Sequence, residues 1–160
     1  MSLKVVVGSR SRSRSKEAME ILEKNGYILE LNPFDRTMTE DELIERIKGA
    51  SALVAGSDKV TKRVLEAGSP TLKIVAKQGV GYNTIDIEAA KEWGIAVTIT
   101  PGANSKSVAD LTMGLILNAA RNISGMDRAI RNNEWYRYTG CELNNKIIGI
   151  VGMGHIGGEV

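Results

Sequence analysis

The chain has 160 residues, 42% of them hydrophobic and 25% charged, a balance that fits one globular domain or slightly more and excludes a disordered chain, a collagen or a coiled coil. Its 21 basic and 19 acidic side chains leave a formal charge of +2, and two Trp, four Tyr and one Phe offer few stacking platforms, which argues against nucleic acid as a partner. The longest apolar stretch, residues 107 to 120, contains Asp110 and Asn118 and is too short and too polar to predict a membrane span.

From the N-terminus, Leu3 to Gly8 is a β-branched run closed by glycine, and Ala18, Met19 and Leu22 then recur at helical spacing until Gly26. Tyr27 to Leu31 predicts the next strand. Thr39-Glu40-Asp41-Glu42 is a capping box ahead of Leu43, Ile44 and Ile47, with Gly49 just past the helix end. Ala52 to Ala55 with Val60, Val64 and Leu65 makes a third strand and helix, and Lys73 to Ala76 with Ile85 to Trp93 makes a fourth pair. Ile95 to Ile99 supplies a fifth strand. Five strands alternating with four helices predict an α/β fold with a doubly wound parallel sheet covered on both faces.

After Pro101-Gly102 the rhythm changes. Ser105 to Arg121 and Ser124 to about Asn132 read as successive helices with no strand between them, which places a domain boundary near residue 100. Lys146 to Val151 (KIIGIV) predicts a buried strand, entered from Asn144-Asn145 and followed at once by Gly152-Met153-Gly154-His155-Ile156-Gly157. No internal repeat is visible.

That GxGxxG segment, set between a predicted strand and a helix start, has the setting of a dinucleotide-binding turn. There the glycines permit close approach of a diphosphate to a helix N-terminus. Its alternative is a flexible glycine-rich loop. Lys77-Gln78-Gly79-Val80-Gly81-Tyr82-Asn83 follows the fourth strand, at the edge of a parallel sheet where ligands sit; its backbone N–H groups can hold a carboxylate with Lys77 supplying charge, or the loop needs glycine only for its own geometry. The run Ser9 to Ser15 lies after the first strand at the same edge. Arg10, Arg12 or Arg14 can meet an anion there, or the run is a solvated loop in which Ser13 or Ser15 caps the first helix. His155, the sole histidine, lies inside the glycine turn and suits a phosphate site better than proton transfer. Trp93 and Trp135 read as packing residues at helix ends, and Asp86 and Glu88 as a helix start. Cys141 has no CxxC partner, so neither a zinc site nor a nucleophile is expected, and a single thiol implies a reducing cytoplasm.

Taken together, Lys77-Gln-Gly-Val-Gly-Tyr-Asn-Thr-Ile-Asp86, Thr100-Pro-Gly-Ala-Asn-Ser105, Ser107-Val-Ala-Asp-Leu-Thr112 and Lys146-Ile-Ile-Gly-Ile-Val-Gly-Met-Gly-His-Ile-Gly157 resemble the D-isomer-specific 2-hydroxyacid dehydrogenases, most of all the phosphoglycerate dehydrogenases. The resemblance implies a flavodoxin-like substrate domain over residues 1 to 100, then, over 101 to 160, hinge helices and the incomplete start of a Rossmann-type NAD-binding domain. It implies NAD as cofactor and a small 2-hydroxy or 2-oxo acid as substrate, 3-phosphoglycerate foremost. Val80 and Gly81 would hold the substrate carboxylate through their backbone, with Lys77 nearby. Asn104 would lie near the substrate and Val108 near the nicotinamide, while Gly152, Gly154, His155, Ile156 and Gly157 would take the diphosphate. Two positions depart from the family pattern: His155 stands where the fingerprint usually carries Arg, and Ala55-Gly56-Ser57-Asp58 lacks the Arg that some phosphoglycerate dehydrogenases place after the third strand.

The family's catalytic Arg, Glu and His lie downstream of the fingerprint, so no catalytic residue is assigned. The chain is expected to be an N-terminal fragment that is inactive alone and binds NAD weakly. Its strand 146 to 151 lacks a downstream partner, which predicts a homo-oligomer built on residues 105 to 160. The alternative is a stand-alone flavodoxin-like binding or assembly module without catalysis.

Overall fold

The computed structural model describes residues 3–10 and 15–160, so Arg12, Arg14 and Ser13 of the Ser/Arg run lie outside the described residues. The chain divides into two compact units, Met1–Pro101 and Gly102–Val160.

In the first unit, β1 (Lys4–Val7), α1 (Lys16–Lys24), β2 (Ile28–Leu31), α2 (Glu40–Ile47), β3 (Ala52–Ala55), α3 (Lys62–Gly68), β4 (Ile74–Lys77), α4 (Ile87–Glu92) and β5 (Ala96–Thr98) follow one another as the sequence predicts. All four strand pairings are parallel and the order is β2-β1-β3-β4-β5. This is the flavodoxin-like order, whose switch point lies between β1 and β3.

The helices begin where local chemistry satisfies their free N–H groups. Ser15 accepts a hydrogen bond from the Ala18 N–H at 3.3 Å and so is the residue that caps α1. At α2 the capping box is complete: Thr39 Oγ1 accepts from the Glu42 N–H at 3.3 Å and the Glu42 carboxylate accepts from the Thr39 N–H at 2.8 Å. Asp86 accepts from the Ala89 N–H at 3.0 Å and caps α4, the helix-start role expected of it.

Strand alternation sends Val6, Leu53, Ala55 and Val75 to one face, where they meet Leu43 and Ile47 of α2, Val64 and Leu65 of α3, and Ala89 and Ala90 of α4. All ten of these side chains are buried. α1 adds no residue to this cluster and packs beside β2; its Ala18 and Met19 line a cleft with Val54 and Ala76, which places it on the opposite face.

The second unit begins with α5 (Ser105–Arg121), at the predicted bounds, and α6 (Ile123–Arg131). They join at Asn122 in the left-handed conformation (φ 50°, ψ 43°), and Asn118 Oδ1 accepts from both the backbone N–H (2.8 Å) and the hydroxyl (2.7 Å) of Ser124, tying the two helices across the turn. Beyond α6 the chain has no regular element. It doubles back once, where the Cys141 N–H donates to the Ala120 carbonyl at 2.8 Å, and a Cβ at Gly140 would lie 2.8 Å from that same oxygen.

Two expectations fail here. Lys146 to Val151 is not a strand: no described segment supplies a ladder, Ile147 is 99% exposed, and Val151 is fully exposed. A β-branched run has high strand propensity but forms a strand only when another backbone completes its hydrogen bonds. Trp135 and Trp93, expected to pack at helix ends, are 83% and 42% exposed; Trp135 lies along an open groove with Met126, Ala129, Ile130 and Tyr136 instead of beneath other side chains.

Candidate functional site

The carboxyl ends of β1, β2, β3 and β4 converge on a set of buried polar groups: Ser9, Asn32, Asp58 and Lys77. Asn32 is fully used, donating from Nδ2 to the carbonyls of Gly8 (3.0 Å) and Arg36 (2.9 Å) and accepting from the Phe34 N–H at 2.8 Å. The Asp58 carboxylate accepts from the Met38 N–H at 3.1 Å through Oδ1 and from the Gly56 N–H at 3.2 Å through Oδ2. Burial pushes its carboxyl above the ordinary range, opposed by the N–H groups of Met38, Gly56 and Asp58 itself and by the charge of Lys77. Glycine is needed at two positions around this carboxylate, at Gly8 for the carboxylate itself and at Gly56 for the Ser9 backbone. A Cβ at Gly8 would overlap Asp58 Oδ2, and one at Gly56 would lie 3.0 Å from Ser9 Cα. Lys77, the last residue of β4, is 9% exposed, and its ammonium donates to the Gly56 carbonyl. Asn32 was not singled out from the sequence, and Ser9 and Asp58 were named there only as parts of the segments Ser9 to Ser15 and Ala55 to Asp58, with no role of their own; their one common signal is position, since each closely follows a strand.

The glycine loop starts directly after Lys77. The Gln78 N–H donates to the Ala55 carbonyl at 2.9 Å, Gly79 donates to Thr100 Oγ1 at 3.0 Å, and the Gly79 carbonyl accepts from the Thr100 N–H at 2.9 Å. Gly79 sits at φ 126°, a conformation side chains rarely adopt. Val80 and Gly81 follow, both exposed, and among the described residues neither N–H has an acceptor. Two neighbouring free donors on an anchored loop at the carboxyl edge of a parallel sheet can hold an anion such as a carboxylate. Beside the loop, a cleft of about 230 Å³ is floored by Ala18, Met19, Val54 and Ala76 and rimmed by Ser9, Ser15, Lys77, Gln78 and Thr100. Arg10, at the start of the Ser/Arg run, is described and exposed.

The remaining candidates belong to the second unit. Asn104 precedes α5 without making a side-chain cap, and Val108 lies in the first turn of α5. Gly152, Gly154, His155, Ile156 and Gly157 form a tight exposed turn in which the Gly158 N–H donates to the Gly154 carbonyl at 2.9 Å and the Val160 N–H to the Ile156 carbonyl at 3.1 Å. Gly152 has φ 102°, and a Cβ at Gly157 would overlap the Gly152 carbonyl oxygen, so the turn demands glycine at both positions. A curled backbone bare of side chains at these points fits a dinucleotide's diphosphate. Among the described residues, no group of three His, Cys, Asp or Glu is placed to hold a metal ion, and no helix is long and apolar enough to cross a membrane.

Comparison with known proteins agrees with this geometry. The sequence pattern of the D-isomer specific 2-hydroxyacid dehydrogenase catalytic domain matches residues 5–152. The D-3-phosphoglycerate dehydrogenase of Methanocaldococcus jannaschii is 43% identical over 148 residues, covering 91% of this chain and 27% of that protein. The hydroxypyruvate reductase of Thermotoga maritima is 40% identical over 148 residues, covering 91% of this chain and 47% of the relative. Among solved structures, the NAD+-bound 3-phosphoglycerate dehydrogenase of Entamoeba histolytica superimposes with a TM-score of 0.77 at 33% identity, over 99% of this chain and 49% of the other. The chain thus spans between about a quarter and a half of the length of these three relatives. With a flavodoxin-like sheet, a free pair of amides at its carboxyl edge and a match over residues 5–152, the chain belongs to the D-isomer specific 2-hydroxyacid dehydrogenase family.

Proposed function

We propose that this chain supplies the substrate-binding part of an NAD-dependent oxidoreductase acting on the CH–OH group of a D-2-hydroxy acid, with 3-phosphoglycerate the foremost substrate. The observation that carries the reading is the pair of acceptor-free N–H groups at Val80 and Gly81, which supports their role as the cradle of the substrate carboxylate. On this reading residues 1–100 are the substrate domain and 101–160 the start of the cofactor domain. Asn104 lies near the substrate, Val108 near the nicotinamide, and Gly152, Gly154, His155, Ile156 and Gly157 hold the diphosphate. NAD, when bound, supplies the hydride acceptor. The chain's own residues bind and orient: the loop fixes the carboxylate, and the curled glycines take the cofactor's charge.

His155 is the sole histidine and lies in the fingerprint, so residues 1–160 offer no second histidine for acid/base work at the hydroxyl, and this chain by itself is expected to be inactive. Its NAD affinity is expected at about 1 mM or weaker, because a few backbone donors act without a ribose or adenine pocket. Leu111, Leu115, Ile147, Ile148, Ile150 and Val151 are exposed, which supports association through residues 105–160. The single exposed thiol, Cys141, suits the cytoplasm.

Titrating the isotope-labelled chain with D-glycerate and with 3-phosphoglycerate tests the central reading. Saturable shifts of the Val80 and Gly81 amides are expected, and shifts confined to other residues overturn it. In the same preparation, NADH production should be absent, and light scattering should give a mass above 17.3 kDa that returns to a monomer's when residues 101–160 are deleted.

A further inference from the structure

Lys77 is read above as a charge beside the substrate, but its ammonium is already engaged. It is nearly buried, its donor contact is the Gly56 carbonyl, and the Asp58 carboxylate holds the N–H of that same glycine. Gly56 is thereby gripped at both ends, its N–H by Asp58 at 3.2 Å and its carbonyl by Lys77. The next link runs the same way, since the Gln78 N–H is bonded to the Ala55 carbonyl at 2.9 Å, and Gly79 is tied to Thr100 through both its N–H and its carbonyl. The β3–α3 turn and the base of the glycine loop are therefore a single hydrogen-bonded frame, and the free amides of Val80 and Gly81 leave it one residue past the last tie.

We propose that Lys77, acting with Asp58 on the two ends of Gly56, is a positioning residue that locks the Gly56 turn to the base of the glycine loop and so sets the aim of the Val80 and Gly81 N–H groups at a carboxylate, without touching the carboxylate itself. This rests on the reading of Val80 and Gly81 as the carboxylate cradle. Donors held in place before the ligand arrives need no reordering when it binds, whereas a loop released at its base must be ordered at the expense of affinity.

A direct ionic role and a positioning role differ in sign at Asp58. If Lys77 met the substrate as a charge, removing the neighbouring negative charge in Asp58→Asn would free it and tighten carboxylate binding. If the pair is a clamp, the same change loosens the loop and weakens binding. The test uses the 160-residue chain, D-glycerate as probe, amide shifts for affinity and hydrogen exchange of the ligand-free protein for loop order, with amide protection at Leu53 as the check on folding. Expected are an affinity loss of about tenfold in Lys77→Met, exchange at Gly79 faster by a similar factor before any ligand is added, substantial recovery of both in Lys77→Arg, and a weakening in Asp58→Asn. Tighter binding in Asp58→Asn, or unchanged Gly79 exchange in Lys77→Met, overturns the clamp. Absence of Val80 and Gly81 shifts in the wild-type chain overturns the carboxylate reading itself, and with it the purpose of the clamp.

Discussion

The two units hold similar proportions of apolar residues and use them differently. In the first, Leu43, Ile47, Leu53, Val64, Leu65 and Val75 are fully buried, because strands of period two and helices of period 3.6 present their apolar faces to one another. In the second, α5 is a long apolar helix that buries Ser105 and Ala109 alone, and α6 buries Ala129. The contrast between β3, Ala52–Ala55, and residues 146–151 is sharper still. Both are β-branched or aliphatic runs, yet β3 has β1 and β4 on either side and becomes a strand, while 146–151 pairs with no strand among the described residues and does not. Hydrophobic patterning states that a face wants covering; a partner placed by the rest of the fold decides whether it is covered.

The largest expected effect is a matched truncation. Leu53→Ala should destabilise the first unit by about 2–5 kcal/mol, since the cavity forms in a closed core, whereas Leu115→Ala, at a 58% exposed position, should stay within about 0.5 kcal/mol. Urea titrations of the two variants, run dilute enough that association through residues 105–160 does not contribute, read this directly, and equal losses would mean that Leu115 is enclosed within a single copy. Next come two glycines. Gly8→Ala drives a Cβ into the buried Asp58 carboxylate and should cost about 1–3 kcal/mol, while Gly114→Ala, on an exposed helical turn with open space around it, should stabilise α5 by about 1 kcal/mol through helix propensity. Smaller again is capping: Thr39→Ala should cost about 1 kcal/mol, and Asn104→Ala, which removes no cap hydrogen bond, close to nothing.

The smallest effect is the dependence on pH. Arg36, bonded to Glu42 at 2.7 and 2.8 Å, together with the Thr39 N–H, lowers the Glu42 carboxyl to about 2. A carboxyl lowered in the folded state contributes stability that is complete above its ordinary value of 4.5 and is lost as pH falls through about 2. Asp58 runs the other way. Its carboxyl is raised in the fold, so stability increases as pH falls through the raised value towards 3.8, the ordinary one. Acid melting followed at several pH values should therefore show a loss that steepens below pH 3.8, and Glu42→Gln should flatten it.

Much of this was legible in the chain's order of residues. α5 over Ser105–Arg121, the Thr39 capping box, the Asp86 cap and the alternation of five strands with four helices follow from local chemistry, namely side chains that satisfy free N–H groups and apolar residues spaced at a helical or strand period. The candidate site was legible in its glycines, because Gly79 and Gly152 occupy backbone conformations that side chains rarely adopt and so leave a mark in the sequence. The Asp58 and Lys77 contacts left no such mark. These residues lie nineteen positions apart, Gly8 and Asn32 are farther off still, and they meet because four parallel strands end at one edge.

What the sequence by itself determined is the identity and approximate limits of the elements of the first unit and of α5 and α6, with the glycine-bearing turns, since both depend on residues within a few positions of one another. What the tertiary structure alone decided is the β2-β1-β3-β4-β5 order, the engagement of Lys77 by the Gly56 carbonyl, and the failure of residues 146–151 to become a strand. Each of these depends on which backbone or charge stands opposite, and a hydrogen bond or ion pair needs both partners in place before either residue's character is expressed.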